Sequence, residues 1–133
     1  ICIASAFGSS GISQIIGEAL AGLSGIPTIL LFAVICLSVT FLTEITSNTA
    51  TTALLMPILA AAAIGASVDP RLLMVPAALS ASCAFMLPVA TGPNAVIFAS
   101  GHVSIKDMAR AGFALNLLGA LVLTTVCYFA FVT

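Results

Sequence analysis

Four uncharged stretches dominate this chain: residues 19–43, 45–68, 72–105 and 111–133. Each is longer than the ~20 apolar residues that carry a helix across a bilayer. Seven residues carry formal charge: Glu18, Glu44, Asp69, Arg71, Lys106, Asp107 and Arg110. They make up 5% of the chain, whereas a soluble domain holds about a quarter. No water-facing surface can be built from so few. The expected class is an all-α integral membrane protein, multi-pass, in the cell membrane or an inner membrane. An outer-membrane barrel would need alternating strands of roughly ten residues, and the sequence shows none.

Composition also excludes several functions. A net charge of -1 rules out a basic nucleic-acid surface. Cys2, Cys36, Cys83 and Cys127 are widely spaced in apolar runs, so they read as small hydrophobes and not as a metal or disulfide frame. No nucleophile–base–acid set and no phosphate loop is present, so an enzyme is not expected. His102 has no Ser or Cys at motif spacing and reads as a surface histidine. No basic region precedes the first apolar stretch, as a signal peptide would require. The apolar start at Ile1–Phe7 reads as the downstream piece of something longer.

Residues 1–7 resemble the end of a spanning helix, broken by "GSSG" at 8–11. From Ile12 to Leu23 the apolar residues fall at helical spacing on one face, which suits an interfacial helix or a short packed one. Residues 26–42 predict an apolar helix with Pro27 in its first turn. A second begins near Ala50 and runs to about Gly65, with Pro57 inside it. At 50–64 it would rise roughly 22 Å, short for a full span. Two arms that enter and leave on one side would explain that length, but residues 26–45 are long enough to span outright, so length alone does not settle a hairpin. Residues 65–71 form a charged loop. Residues 72–100 are too many for one straight span and predict a helix broken at 90–94. The last helix is expected over 111–132, after a polar segment at 100–110.

Two polar interruptions therefore stand in hydrocarbon: "TSNTA" at 46–50 and "ATGPNA" at 90–95. Neither contains Lys, Arg or Asp. A bilayer core does not tolerate idle polar groups. Facing breaks in apolar helices are the sequence signature of a transporter site. A helix beginning at Ala50 offers unpaired N–H groups and a positive dipole end to a carboxylate. Free carbonyls and hydroxyls suit a hard cation such as Na⁺. The alternatives are structural. Ser47 or Asn48 would cap the following helix, the Thr40–Thr43–Thr46–Thr49 series would pack helices, and "GPN" would be a turn. Two breaks in one short chain favour the site. Glu44 serves either a proton or cation path or, the preferred reading, a structural role with a partner outside this chain.

The residues that carry these breaks, "LTEITSNTATTALLMPIL" and "FMLPVATGPNAVIFASGHVSIKDMARAGFALNLLG", resemble the divalent anion/sodium symporter family, in order and spacing, over nearly the whole chain. Family members move di- and tricarboxylates, and in some branches sulfate, with Na⁺. The resemblance implies one of two inverted repeats, the C-terminal one. Residues 1–25 would hold a spanning-helix end and the interfacial arm helix over 8–24. Residues 26–64 would be a re-entrant hairpin, 71–101 a discontinuous transmembrane helix, and 109–133 the final span. It further implies that Ser47, Asn48 and Thr49 grip a substrate carboxylate, with Thr91, Gly92 and Pro93 as further substrate contacts. Thr43, Thr46, Asn48 and Ala90 would form a sodium site. Many members read Pro-Pro-Asn where this chain has Gly92-Pro93-Asn94, which loosens the break and bears on substrate preference.

The implied activity is uptake of succinate-, malate- or citrate-like anions coupled to Na⁺. The implied partners are the N-terminal repeat, the bilayer and a second copy in a homodimer. The rival readings are an anion exchanger or proton-coupled carrier of the same fold, and a channel-like or structural membrane subunit. Lys106 and Arg110 lie on one side of the last span and Arg71 on the other, so the positive-inside bias puts 102–110 in the cytoplasm. A cysteine placed at Ser104 is therefore expected to resist an impermeant thiol reagent added outside intact cells. Labelling from outside would overturn the orientation.

Overall fold

A computed structural model describes residues 27–65 and 67–132. The expected spanning-helix end and arm helix before residue 26 lie outside the described residues. Within the described residues five helices follow one another: α1 Thr28–Thr43, α2 Asn48–Gly65, α3 Pro70–Ser80, α4 Gly92–Ala99 and α5 Ile105–Val132. No strand occurs among the described residues. Among the described residues, two helices are long and apolar enough to cross a membrane: α2, with mean hydropathy 1.4, and α5, with 2.0. The all-α class agrees with the sequence reading.

Several boundaries differ from expectation, each for a local reason. Pro27 precedes α1 as its N-cap, and its carbonyl accepts from Leu30 N at 2.8 Å. Helix α2 starts at Asn48, two residues earlier than expected, because Thr51 N already donates to Ser47 O at 2.8 Å. Its 18 residues rise about 27 Å, so α2 is not too short to cross a bilayer core. Length therefore gives no support to a re-entrant arm. The final helix starts at Ile105, not near 109–111. Ser104 caps it: its Oγ accepts from Asp107 N at 3.2 Å and donates to Asp107 Oδ2 at 2.6 Å, a reciprocal cap. With 28 residues, α5 is about 42 Å long, so it exceeds a ~30 Å hydrocarbon core by roughly the charged turns at its start.

The break also lies earlier than 90–94. Helix α3 ends at Ser80, its last turn tightened by Ser82 N to Leu79 O at 3.1 Å and Cys83 N to Ser80 O at 2.9 Å. The chain then stays non-helical to Thr91. Gly92, Pro93 and Asn94 open α4 instead of interrupting a helix. Thr91 is the N-cap, its Oγ1 accepting from Asn94 N at 3.3 Å. A proline in the first turn sacrifices no helical hydrogen bond.

Helix α1 packs against α5 and α3, while α3 also packs against α2 and α5. The Phe32–Phe131 rings lie 6.5 Å apart and the Phe41–Phe113 rings 5.8 Å apart, so α1 and α5 run antiparallel. Val39, Ala77 and Ala81 form a buried cluster flanked by Leu55, Met56 and Leu59. Small residues at such contacts let backbones approach closely. The opposite flank of α5 leaves Leu118, Leu121 and Phe129 well exposed.

Among the described glycines, Gly112 lies in the tightest surroundings. A Cβ there would stand 2.5 Å from the Phe85 carbonyl carbon and 2.6 Å from Met86 Cα, and nearer still to the Phe85 oxygen. The break segment therefore lies directly on the α5 backbone. Gly112→Ala should lower stability by about 1–3 kcal/mol through overpacking, although alanine is the better helix former. Thermal unfolding of the full-length protein in detergent measures this. An unchanged Tm would mean the segment does not rest on α5.

Candidate functional site

The turn between α1 and α2 and the non-helical segment 81–91 meet through polar contacts. Glu44 stands at the C-terminal end of α1 and is only 3% exposed. Its Oε1 accepts from Phe85 N at 2.8 Å and Met86 N at 2.9 Å, and its Oε2 from Leu87 N at 3.0 Å. The Asn116 amide, fully buried on α5, donates to Oε1 at 2.6 Å. Asn116 Oδ1 also accepts from Phe85 N at 3.3 Å. A run of successive main-chain N–H groups makes a natural concavity for an anion, and here a side chain of the protein fills it. The partner of Glu44 thus lies within this chain, mostly in its backbone.

Asn94 braces the same segment from α4. Its Nδ2 donates to Ala84 O at 2.9 Å and Leu87 O at 3.1 Å, and the residue is buried. Without Glu44, Asn94 and Asn116, this segment would expose several backbone groups with no helix to satisfy them.

Thr43 links the turn to the start of the break. Its fully buried Oγ1 lies 3.1 Å from Ala81 O and 2.5 Å from the Asn48 side-chain amide. A hydroxyl has one proton to donate. Its proton is therefore shared between two acceptors, Ala81 O and Asn48 Oδ1. Thr46 is exposed, and its Oγ1 bonds Leu42 O at 2.9 Å and Thr51 Oγ1 at 2.5 Å. Ser47 and Thr49 are exposed at the mouth of α2.

Of the expected site residues, Thr43, Thr46, Ser47, Asn48 and Thr49 gather at this turn. An open pocket of about 440 Å³ lies beside them, lined by Asn48, Thr49, Thr52, Ala53 and Ser82. Ala90 is buried, while Thr91, Gly92 and Pro93 form the entry of α4. They do not line that pocket, and no hydrogen bond joins residues 90–93 to residues 43–52 among the described residues. A Cβ at Gly92 would meet nothing within 4 Å, so glycine is not sterically required there. No group of three His, Cys, Asp or Glu that could hold a metal occurs among the described residues. Any cation here would rely on neutral oxygens. His102 is exposed, with Nδ1 2.9 Å from Ser100 O.

A family model described as the sodium:sulfate symporter transmembrane region matches residues 1–132. The chain belongs to the sodium:sulfate symporter family. Membership agrees with the likeness read from the two motifs and makes this a membrane protein. Among its relatives, a sodium-dependent dicarboxylate transporter, SdcS, of Staphylococcus saprophyticus is 47% identical over 129 residues, covering 97% of this chain and 25% of the relative. The SdcS of Staphylococcus aureus strain USA300 is 48% identical over the same shares. The chain therefore spans about a quarter of the length of the curated relatives it matches.

Two residues of this chain escaped the sequence reading. Asn116 did give a signal, as a lone amide in a run of hydrocarbon. Gly112 gave none, since its role depends on what lies against it. Glu44→Ala would strand the Met86 and Leu87 N–H groups and leave Phe85 N with only its longer bond to Asn116, and a buried unsatisfied donor costs about 1–3 kcal/mol. We expect a loss of roughly 3 kcal/mol or more, read as a large fall in Tm of the full-length protein, with a smaller fall for Asn116→Ala. A Glu44→Ala variant as stable as the parent would refute the clamp.

Proposed function

We propose that this chain belongs to a secondary active symporter that couples Na⁺ to the uptake of di- and tricarboxylates such as succinate, malate or citrate. The supporting observation is the joint between the 44–48 turn and the broken segment, where Thr43 and Asn48 bring neutral oxygens and amides together. In this reading Ser47, Asn48 and Thr49, with Thr91, Gly92 and Pro93, bind the substrate. Thr43, Thr46, Asn48 and Ala90 bind Na⁺ through hydroxyl, amide and carbonyl oxygens. Residues 26–64 act as a re-entrant hairpin and 71–101 as a discontinuous span, in the C-terminal repeat of a multi-pass, homodimeric carrier. The site-bearing helices move against the dimer scaffold, by an elevator or rocking step, to alternate access.

The physical logic is charge compensation. Neither polar break carries Lys or Arg, so a dianion finds only helix N-termini and neutral donors. A bound Na⁺ supplies the missing positive charge and orders the turn, so the substrate then loses less entropy on binding. Because Asn48 serves both ligands, their affinities are linked reciprocally.

Succinate titrated by calorimetry into the full-length protein should bind more tightly as Na⁺ rises, by a coupling of about 1–3 kcal/mol. Asn48→Ala should abolish nearly all uptake in a protein that still folds. If Asn48 were only a helix cap, the change would cost roughly 1 kcal/mol of stability and leave transport per molecule intact. A Kd indifferent to Na⁺ would instead favour an exchanger or proton-coupled carrier, and uptake that does not saturate would favour a channel.

A further inference from the structure

Resting on the symporter reading above, we propose that Ser82 is a substrate-contacting residue. Its hydroxyl faces Asn48 and Thr49 across the open pocket and donates to a carboxylate of the transported anion. Three observations carry this. First, the pocket joins two elements, with four lining residues from α2 and Ser82 from the segment after α3. Its volume of about 440 Å³ is ordinary for a small-molecule site. Two other pockets are lined almost wholly by apolar side chains. One lies between α1 and α5 at Leu37 and Leu121, the other between α1 and α2 at Val39 and Leu55. Neither offers a dianion a partner.

Second, Ser82 is exposed, and its hydroxyl has no hydrogen bond among the described residues. Thr52, by contrast, spends its proton on Asn48 O at 2.8 Å. Thr49 and Ser82 are therefore the hydroxyl donors available to a ligand, one from each wall. Third, Ser82 is held firmly although it lies outside a helix. Thr43 binds the carbonyl of Ala81, Leu79 O holds the Ser82 N–H at 3.1 Å, and Glu44 holds Phe85 N at 2.8 Å. A donor fixed between such anchors is preorganised, which limits the entropy lost on binding. A neutral hydroxyl also binds an anion loosely enough to release it, as a carrier requires.

The test uses the full-length protein in proteoliposomes. Ser82→Ala should raise the KM for succinate about ten- to a hundredfold, the loss expected for one hydrogen bond to a charged group. Maximal rate at saturating succinate and thermal stability should stay near the parent's, and Ser82→Thr should restore KM to within a few-fold. A cysteine at Ser82, in a background whose native cysteines are replaced by alanine and which still transports, should react with a soluble thiol reagent. Succinate with Na⁺ should slow that reaction, and Na⁺ alone should not. A parental KM in Ser82→Ala, or labelling that succinate does not slow, overturns the assignment while Na⁺-dependent succinate uptake by the parent leaves the symporter reading standing. A parent with no Na⁺-dependent succinate uptake would sink both.

Discussion

A buried carboxylate at the end of α1 receives three successive main-chain N–H groups from a segment distant in sequence, and the path of that segment follows from this contact. Buried non-helical backbone must find partners within the protein. Here Glu44 supplies them on one side, Asn116 joins from α5, and Asn94 ties off the carbonyls from α4. The absence of a side chain at Gly112 lets the segment settle close enough for these bonds to form. Removing Glu44 or Asn94 would leave backbone groups of the segment unsatisfied.

The same joint accounts for the chemistry available nearby. The acidic group closest to the polar turn is occupied by the backbone, so it contributes structure at the turn and does not line the adjoining pocket. What lines the pocket is neutral: an amide, hydroxyls and the start of a helix. Neutral donors and a helix N-terminus can hold an anion, and in the proposed symporter a bound cation would add to that attraction. Thr43 makes the turn and the break one unit, because its oxygen touches both Ala81 and Asn48.

Much of this could be read in the sequence because polar residues in hydrocarbon are conspicuous. "TSNTA" and "TGPN" stood out on composition alone, and the helices around them follow from apolar runs. Boundaries were misread where capping overrides hydropathy. Ser104 and Asp107 start α5 within a polar stretch, and Thr91 turns Gly92-Pro93-Asn94 into a helix start where a break was expected. The partner of Glu44 was beyond reach for a deeper reason. It is mainly backbone N–H, which carries no residue identity, and Phe85, Met86 and Leu87 look like any other apolar run. Pattern can place Ser47, Asn48 and Thr49 together, but it cannot tell that Ser82 lines one pocket with Asn48 and Thr49.

The carboxylate clamp also separates protection from secondary structure. Amide hydrogens in irregular segments ordinarily exchange with solvent quickly, since no helical carbonyl shields them, whereas exchange in a packed core waits on larger openings. At Phe85, Met86 and Leu87 the shield is a side chain anchored on another helix. Their exchange is then governed by the parting of α1 from the break, so an isotope clock on three loop amides would report the opening of the whole joint.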